Sequence, residues 1–548
     1  MPGLLTYWHT LRHLKPIQVY GRIWFCLVKP GVDLRPAPSL RSTSRQAWVK
    51  PAVRKASLVG LERFCFLNET HDLADCGWDD PALEKLWRYN LHYFDDLNAL
   101  DAAKREEWHR VILVRWVREN PPGVGTAWEP YPTSLRIVNW IKWALGGNAL
   151  PPECVESLAV QTRWLSQRLE IHLLGNHLFA NAKALVFAGV FFDGREAEAW
   201  LKKGLGILER ELREQVLPDG GHFERSPMYH ALALEDMLDL INLRATYTDA
   251  FSKESHDFTA CWPKTVDRMR GWLAAMCHPD GEISFFNDAA IGIAPSPTEL
   301  EKYAERLGLP SMAVPGDGVT HLQDSGYIRV QRGNMVALLD VAPVGPDYLP
   351  AHAHADTLSF ELSLFGHRIL VNSGTSCYGV GPERLKQRST AAHNTLVVDG
   401  QDSSEVWGGF RVARRAKPFG LQIQNDANGV RVICSHDGYA RLPGKPIHRR
   451  EWRLSDHAVE IVDGIEGKFR EAVSRLYFSP ALTTSISAAA EGGHVTVGER
   501  RALTWRAEGA VTHVITATYH PEFGVTEPNR CLEMRLSQSR CVARLAWG

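Results

Sequence analysis

The apolar positions divide the chain into two periods. From about residue 80 to 310 the period is helical: Leu201, Leu205, Leu208 and Leu212 fall on one face, with Lys202, Lys203, Glu209 and Glu211 elsewhere. Further helices are predicted near 102–119, 133–146, 155–170, 176–191, 226–247 and 262–277. Breaks at Pro121-Pro122-Gly123, Gly147, Pro218-Asp219-Gly220-Gly221 and Pro279-Asp280-Gly281 separate several of them. Helices in such succession, without a fixed-length repeat, predict stacked antiparallel pairs, as a solenoid or a closed toroid. After Pro315-Gly316-Asp317-Gly318 the period drops to two. Strands are predicted at Tyr327 to Gln331, Met335 to Val341, Leu358 to Leu364, His367 to Val371, Thr395 to Val398, Val459 to Val462 and Val511 to Tyr519. Turn residues punctuate them at short intervals, as an antiparallel sandwich requires. The expected class is α+β and multidomain: an N-terminal extension and Pro-rich connector over 1–80, helices over 81–315, and an antiparallel β-sandwich over 316–548.

Composition sharpens this picture only in places. With 548 residues the chain exceeds what one hydrophobic core supports, in line with several domains. A net charge of -1 excludes a global pull toward nucleic acid, so any polyanion site must be local. Ten scattered cysteines without a CxxC pair argue against a zinc ribbon or a disulfide framework and fit a reducing compartment. The first residues carry His9, Arg12, His13 and Lys15 and lack a signal peptide's apolar run, and no stretch approaches a membrane span. The chain as written is expected in the cytoplasm, or in the periplasm if an export signal has been removed. The 18 tryptophans serve core packing or line clefts, among them sugar-binding grooves.

The chemistry concentrates around Ala351-His352-Ala353-His354-Ala355-Asp356, at the mouth of an alternating strand, and His393, which leads into a second strand. Histidines delivered by neighbouring strands either converge on one metal ion or divide into a metal ligand and a proton-transfer group. In the helical half, Asn176 and His177 open a helix, where Asn176 is either an N-cap or, with His177, a carboxylate-binding pair. Ser226-Pro227 reads as an N-cap and first helical residue, with Tyr229 and His230 in the first turn. There the helix dipole favours an ionised tyrosine, unless the ring simply belongs to the core. Arg384, Lys386, Arg388, Arg411, Arg414 and Arg415 form a basic set around His393 that is either solvated or grips an anionic polymer. There is no P-loop, GxSxG elbow or HExxH. A glycosidase carboxylate pair is defined in space and has no sequence signature.

These residues resemble the heparinase II/III-like polysaccharide lyases, which include heparin/heparan and alginate lyases. The similar stretches are Thr126 to Trp140, Gly175 to Leu178, Glu224 to His230, His352 to Asp356, Asn372 to Thr375, and Ser389 to Thr395 running on to Trp407 through Arg411. Together they span most of residues 85 to 415 in the family's order. The resemblance implies an incomplete (α/α) toroid followed by an antiparallel β-sandwich. It also implies β-elimination at a uronic acid, leaving a 4,5-unsaturated sugar. By position, Asn176 and His177 neutralise the uronate carboxylate, Tyr229 acts as base, acid or both, and His352 shares the proton transfer. Trp128, Arg225, His230, Arg388 and Arg411 are the expected substrate contacts. His354, Asn372 and His393 stand where the family holds a structural zinc, with an amide in place of the family's aspartate, a neutral and weaker ligand. The expected partner is an anionic polysaccharide. A glycoside hydrolase on a toroid, and a non-catalytic glycan-binding or assembly protein of a polysaccharide-synthesis pathway, are the alternatives.

Overall fold

The predicted helices form in the predicted order. The computed structural model describes residues 3–42, 47–251, 253–482, 492–497 and 501–548. Its long helices are Glu106–Glu119, Pro130–Leu145, Pro152–Gln167, Gly175–Phe191, Arg195–Gln215, Pro227–Thr246 and Trp262–Ala275. Proline stands at the first helical position of Pro130–Leu145, Pro152–Gln167 and Pro227–Thr246, where its missing N–H has no intrahelical partner to lose. Gly175–Phe191 is apolar on nearly every side and is buried throughout most of its length. Arg195–Gln215 lies against it because Gly189 and Gly204 carry no side chain. A Cβ at Gly189 would sit 2.5 Å from Leu201 N, and one at Gly204 2.8 Å from Ala182 O.

Apart from a two-stranded hairpin of Arg63–Phe66 with Glu69–Asp72 and a short pairing of Val406–Trp407 with Arg411–Val412, the strands run from Gly318 onward and build two large antiparallel sheets. One runs Ala510–Tyr519, Glu527–Leu536, Ala472–Phe478, His367–Leu370, Phe360–Leu364, Met335–Asp340, Tyr327–Arg332, Gly318–Leu322, with Leu396–Val398 pairing Ala472–Phe478. The other runs Pro418–Asp426, Gly429–His436, Ile447–Leu454, Ala458–Glu466, Arg540–Trp547, Arg501–Glu508, Gly492–Val497. Phe360, Leu362 and Leu476 of the first sheet share one buried apolar cluster with Val432, Trp452, Ile461 and Leu545 of the second. The class is therefore α+β.

Sequence periodicity passed over two helices at the start, Leu4–Leu11 and Pro16–Leu27, and several strands between 418 and 547. The seam between helices and sheets is polar. Asp219 Oδ2 accepts from Ser325 N at 2.7 Å and from Ser325 Oγ at 2.9 Å, Arg225 Nε donates to Ser325 O at 2.9 Å, and Asn287 N donates to Asp356 Oδ2 at 2.9 Å. The conspicuous histidines lie on this seam.

Candidate active site

Tyr229 is set by its own helix start. Ser226 caps the helix, its Oγ accepting from Tyr229 N at 3.2 Å, so the tyrosine sits in the first turn as expected. Its ring lies against the His352 ring, centroids 3.9 Å apart and tilted by 31°, and its hydroxyl is 2.9 Å from that of Tyr378. The expectation that the dipole would ease its ionisation fails. Burial, reinforced by Tyr378 and Asp288, pushes the phenol well above its ordinary value. Lost hydration outweighs half a unit of helix charge.

Asp288 is the hub. Its Oδ2 lies 2.8 Å from His352 Nδ1 and its Oδ1 2.8 Å from His354 Nε2, while Arg384 grips both oxygens, with Nη2 2.7 Å from Oδ2. Asp288 N also donates to His352 O at 2.9 Å, so the two residues are tied twice. Burial alone would raise the carboxyl, but Arg384, then His352 and His354, hold it well below the usual carboxylate range. An ionised Asp288 accepts from His352 Nδ1–H and leaves the Nε2 lone pair free. That is the tautomer of a general base.

Asn176 and His177 reach the same neighbourhood through Glu224. Gly175 begins their helix at a φ of +55°, with an added Cβ only 2.5 Å from Leu349 Cδ2 and 3.0 Å from Glu224 Oε1. Glu224 is 1% exposed, no side chain hydrogen-bonds its oxygens, the Asn176 backbone N–H faces its carboxyl, and Oε2 lies 3.6 Å from His352 Nε2. Burial raises its carboxyl, against the pull of His352 and His177. His177 lies against Tyr131, centroids 4.5 Å apart, and its Nδ1 is 3.1 Å from Glu170 Oε1. Burial would lower the His177 ring, but Glu170, with Glu224 and Glu129 behind it, holds it above its ordinary value.

Several expected substrate contacts serve the fold instead. Trp128 is buried, donates to Asn120 O at 3.2 Å and packs on Trp116 and Trp164. His230 is buried, its Nε2 2.9 Å from Met269 O and its ring over Trp272. Arg225 is spent on backbone carbonyls, Ser325 O and Phe223 O, and clamps the seam. Arg388 is buried, donates to Ala353 O at 2.8 Å and braces the histidine loop; burial lowers it to about 9. Within the basic set, Arg384 is bound to Asp288, Arg414 to Glu405 and Arg415 to Asp347, so the cluster is neither solvated nor free as a whole. Arg411 does stay exposed, next to Phe410, whose ring is 6.0 Å from that of His352.

The zinc ligands implied by resemblance do not assemble into a set. His354 Nδ1 and His393 Nε2 face each other at 3.1 Å. Asn372, however, is committed at both ends: its Oδ1 accepts from Asn394 N at 3.0 Å and its Nδ2 donates to Phe285 O at 3.0 Å. Among the described residues no three His, Cys, Asp or Glu side chains converge as a metal cage. Two imidazoles and an occupied amide do not fit a structural zinc, which takes four ligands. The residues missed in the sequence are Asp288, Glu224 and Tyr378. Glu224 stood inside a matching stretch and Tyr378 a few residues beyond one, but Asp288 lies in a loop with no motif.

Helices and antiparallel sheets meeting over a buried tyrosine–histidine–aspartate group define a two-part protein with titratable groups gathered at its seam. Residues 42–305 match the heparinase II/III N-terminus and residues 314–548 the heparinase II/III-like C-terminal domain, and the chain belongs to the heparinase II/III family. It is 26% identical over 388 residues to a heparin-sulfate lyase of Bacteroides stercoris, covering 65% of this chain and 54% of that protein. It thus spans about half of that relative's length. It is 24% identical over 386 residues to the FtsZ-localized protein C of Caulobacter vibrioides, covering 67% of this chain and 62% of that protein. The crystal structure of a heparinase III superposes with a TM-score of 0.66 at 17% identity, covering 84% of this chain and 76% of that one; at that identity the likeness is one of fold.

Proposed function

We propose that the chain is a polysaccharide lyase, built as an incomplete (α/α) toroid and a β-sandwich, that cleaves a uronic-acid polymer by β-elimination. The observation that carries this reading is the Tyr229–His352 pair, with ring centroids 3.9 Å apart and the histidine anchored by Asp288. A proton α to a carboxylate is weakly acidic because its removal puts a second negative charge on the anion. His177, held above its ordinary pKa, and Asn176 beside it would disperse that charge. Glu224, whose carboxyl burial raises, would in its protonated form donate a further hydrogen bond to it. His352 Nε2 takes the C5 proton. Tyr229, protonated at neutral pH, gives its hydroxyl proton to the leaving O4 and is reprotonated from solvent. No step is routed through a metal, because the donor set around His354 and His393 does not fit one.

The test is an absorbance screen of the purified protein against uronic-acid polysaccharides of heparan, alginate and bacterial exopolysaccharide type, with and without a chelator. A rising near-ultraviolet absorbance from unsaturated ends, indifferent to the chelator, is expected. Chain shortening without that absorbance would indicate hydrolysis. A second reading is a glycan-binding or assembly protein without turnover; the relative from Caulobacter vibrioides is named for its localisation to FtsZ and not for lyase activity. Saturable glycan binding with no new absorbance, unaffected by Tyr229→Phe, is its signature.

A further inference from the structure

The first residues carry a surface that the site does not use. Leu4–Leu11 and Pro16–Leu27 are two short helices joined by residues 12–15. Their inner side is fastened to the body. Thr10 is buried and its Oγ1 accepts from Trp407 Nε1 at 3.0 Å, and Gly21 lies on His172, where a Cβ would stand 3.2 Å from the histidine Cβ. Gln18 Nε2 donates to Tyr348 O at 3.1 Å, and Arg168 Nη1 donates to Phe25 O and Val28 O at 2.8 and 2.6 Å.

The outer side is apolar and bare. Leu4, Trp8 and Leu11 recur at helical spacing on one helix, and Tyr20, Trp24 and Leu27 on the other, with exposures of 90%, 63%, 56%, 57%, 62% and 78%. Trp8 and Trp24 are the two exposed tryptophans among the described residues. A patch of this kind is not left to water without a use.

Charge selects the occupant. Residues 3–32 contain Arg12, Lys15, Arg22 and Lys29 and no Asp or Glu, in a chain whose net charge is -1. Lys15 is paired with Glu214, but Arg12, Arg22 and Lys29 are exposed around the ridge. Two copies meeting through this face would oppose cation to cation, since a two-fold contact puts the same patch on both sides. Anionic lipid headgroups complement it, and tryptophan and tyrosine prefer the depth where headgroup meets acyl chain. No helix among the described residues is long and apolar enough to cross a membrane.

We propose that this helix pair seats the protein on an anionic lipid surface, both helices lying in the plane of the interface with Leu4, Trp8, Leu11, Tyr20, Trp24 and Leu27 inserted. Because the pair also bonds Tyr348, which precedes His352 in the same loop, and Trp407, in the segment whose Phe410 ring lies 6.0 Å from that of His352, seating fixes the orientation of the candidate site relative to the surface.

The test is co-sedimentation of the full chain with vesicles of phosphatidylcholine alone or mixed with phosphatidylglycerol. The wild type is expected to bind the mixed vesicles about ten-fold or more tightly than the neutral ones, and salt weakens that binding. The double variant W8E/W24E is expected to lose about ten-fold or more of the binding with an unchanged melting profile, both side chains being exposed. R12E/R22E, which keeps the apolar ridge, is expected to lose the preference for the anionic vesicles. Wild-type protein that stays in the supernatant with anionic vesicles overturns the proposal, as does W8E/W24E binding like the wild type. So does a wild-type dimer that W8E/W24E abolishes while neither protein binds vesicles, which would make the ridge a self-association face.

Discussion

Replacing Tyr229 by phenylalanine removes one oxygen and little else. The ring keeps its place against His352, because that contact is between ring faces 3.9 Å apart. The hydroxyl has one protein partner, Tyr378 at 2.9 Å, so the folded state loses a single hydrogen bond, about 1 kcal/mol. The melting temperature should fall by no more than about 2–4 °C. Turnover should fall far more. If the phenol supplies the proton to the leaving oxygen, its loss costs about 10²–10⁴-fold, or about 3–5 kcal/mol of barrier at 1.36 kcal/mol per decade. Tyr378→Phe breaks the same hydrogen bond but spares the donor, and about 1 kcal/mol corresponds to a loss of about five-fold. Initial rates of unsaturated-product absorbance, with circular dichroism on the same samples, separate the two. The reasoning is refuted if Tyr229→Phe keeps its rate within about five-fold of wild type. It is equally refuted if Tyr378→Phe, properly folded, falls as far as Tyr229→Phe.

Three other perturbations have expected outcomes. Asp288→Asn leaves the buried Arg384 without its anion and lets the His352 tautomer slip; about 3–5 kcal/mol of stability and about 10³-fold or more in rate should go, and an unchanged denaturation midpoint would exclude the hub role. Glu224→Gln keeps the shape while removing a buried carboxyl whose charged form burial disfavours, so the rate should stay within about ten-fold; a loss of 10³-fold would instead make Glu224 a working carboxylate. Burial lowers His92 and His222 to about 3 and His230 to about 4, all below the unfolded value near 6.5. The unfolded chain therefore binds more protons than the folded one between about pH 4 and 6.5, and stability falls as the pH falls through that window, by about 2 kcal/mol per ring between pH 7 and 5. His92→Gln, whose oxygen can still accept from Trp116 Nε1, should show a shallower pH slope of urea stability, and an identical slope would count against the assignment.

What could be read in the sequence followed from which face of each element carries the pattern. The helices of residues 106–275 bury one side or all sides, so period and proline breaks found them. The first two helices were missed because Leu4, Trp8, Tyr20 and Trp24 point outward, while Thr10 and Gly21 are the residues most deeply buried against the body, beside half-buried Ile17 and Phe25. Tyr229 and His352 came from motifs, and they do meet. Arginine misled, because charge in sequence does not say whether a guanidinium faces a groove or backbone carbonyls. Arg225 and Arg388 turn theirs toward main-chain oxygens, and Arg384 toward a carboxylate more than ninety residues away. Asp288 was illegible for the same reason: its donors, His352 with His354, Thr375 and Arg384, come from three separate segments.

That distance explains why the chemistry belongs to the seam and to neither half. Asp288 falls within the stretch matching the heparinase II/III N-terminus, whereas His352, His354 and Arg384 fall within the C-terminal one. A buried carboxylate stays ionised only while its cationic and N–H partners compensate for lost water, and here those partners are supplied across the seam. The helices alone would hold Tyr229 and Asn176 beside an uncompensated Asp288, which would take up a proton. The sheets alone would hold His352 without the anion that fixes its tautomer. The base proposed here, with a free Nε2, exists only once Asp288 N has bonded His352 O and the His352 Nδ1–H has turned to Asp288 Oδ2, so on that reading docking of the two halves and formation of the base are one event.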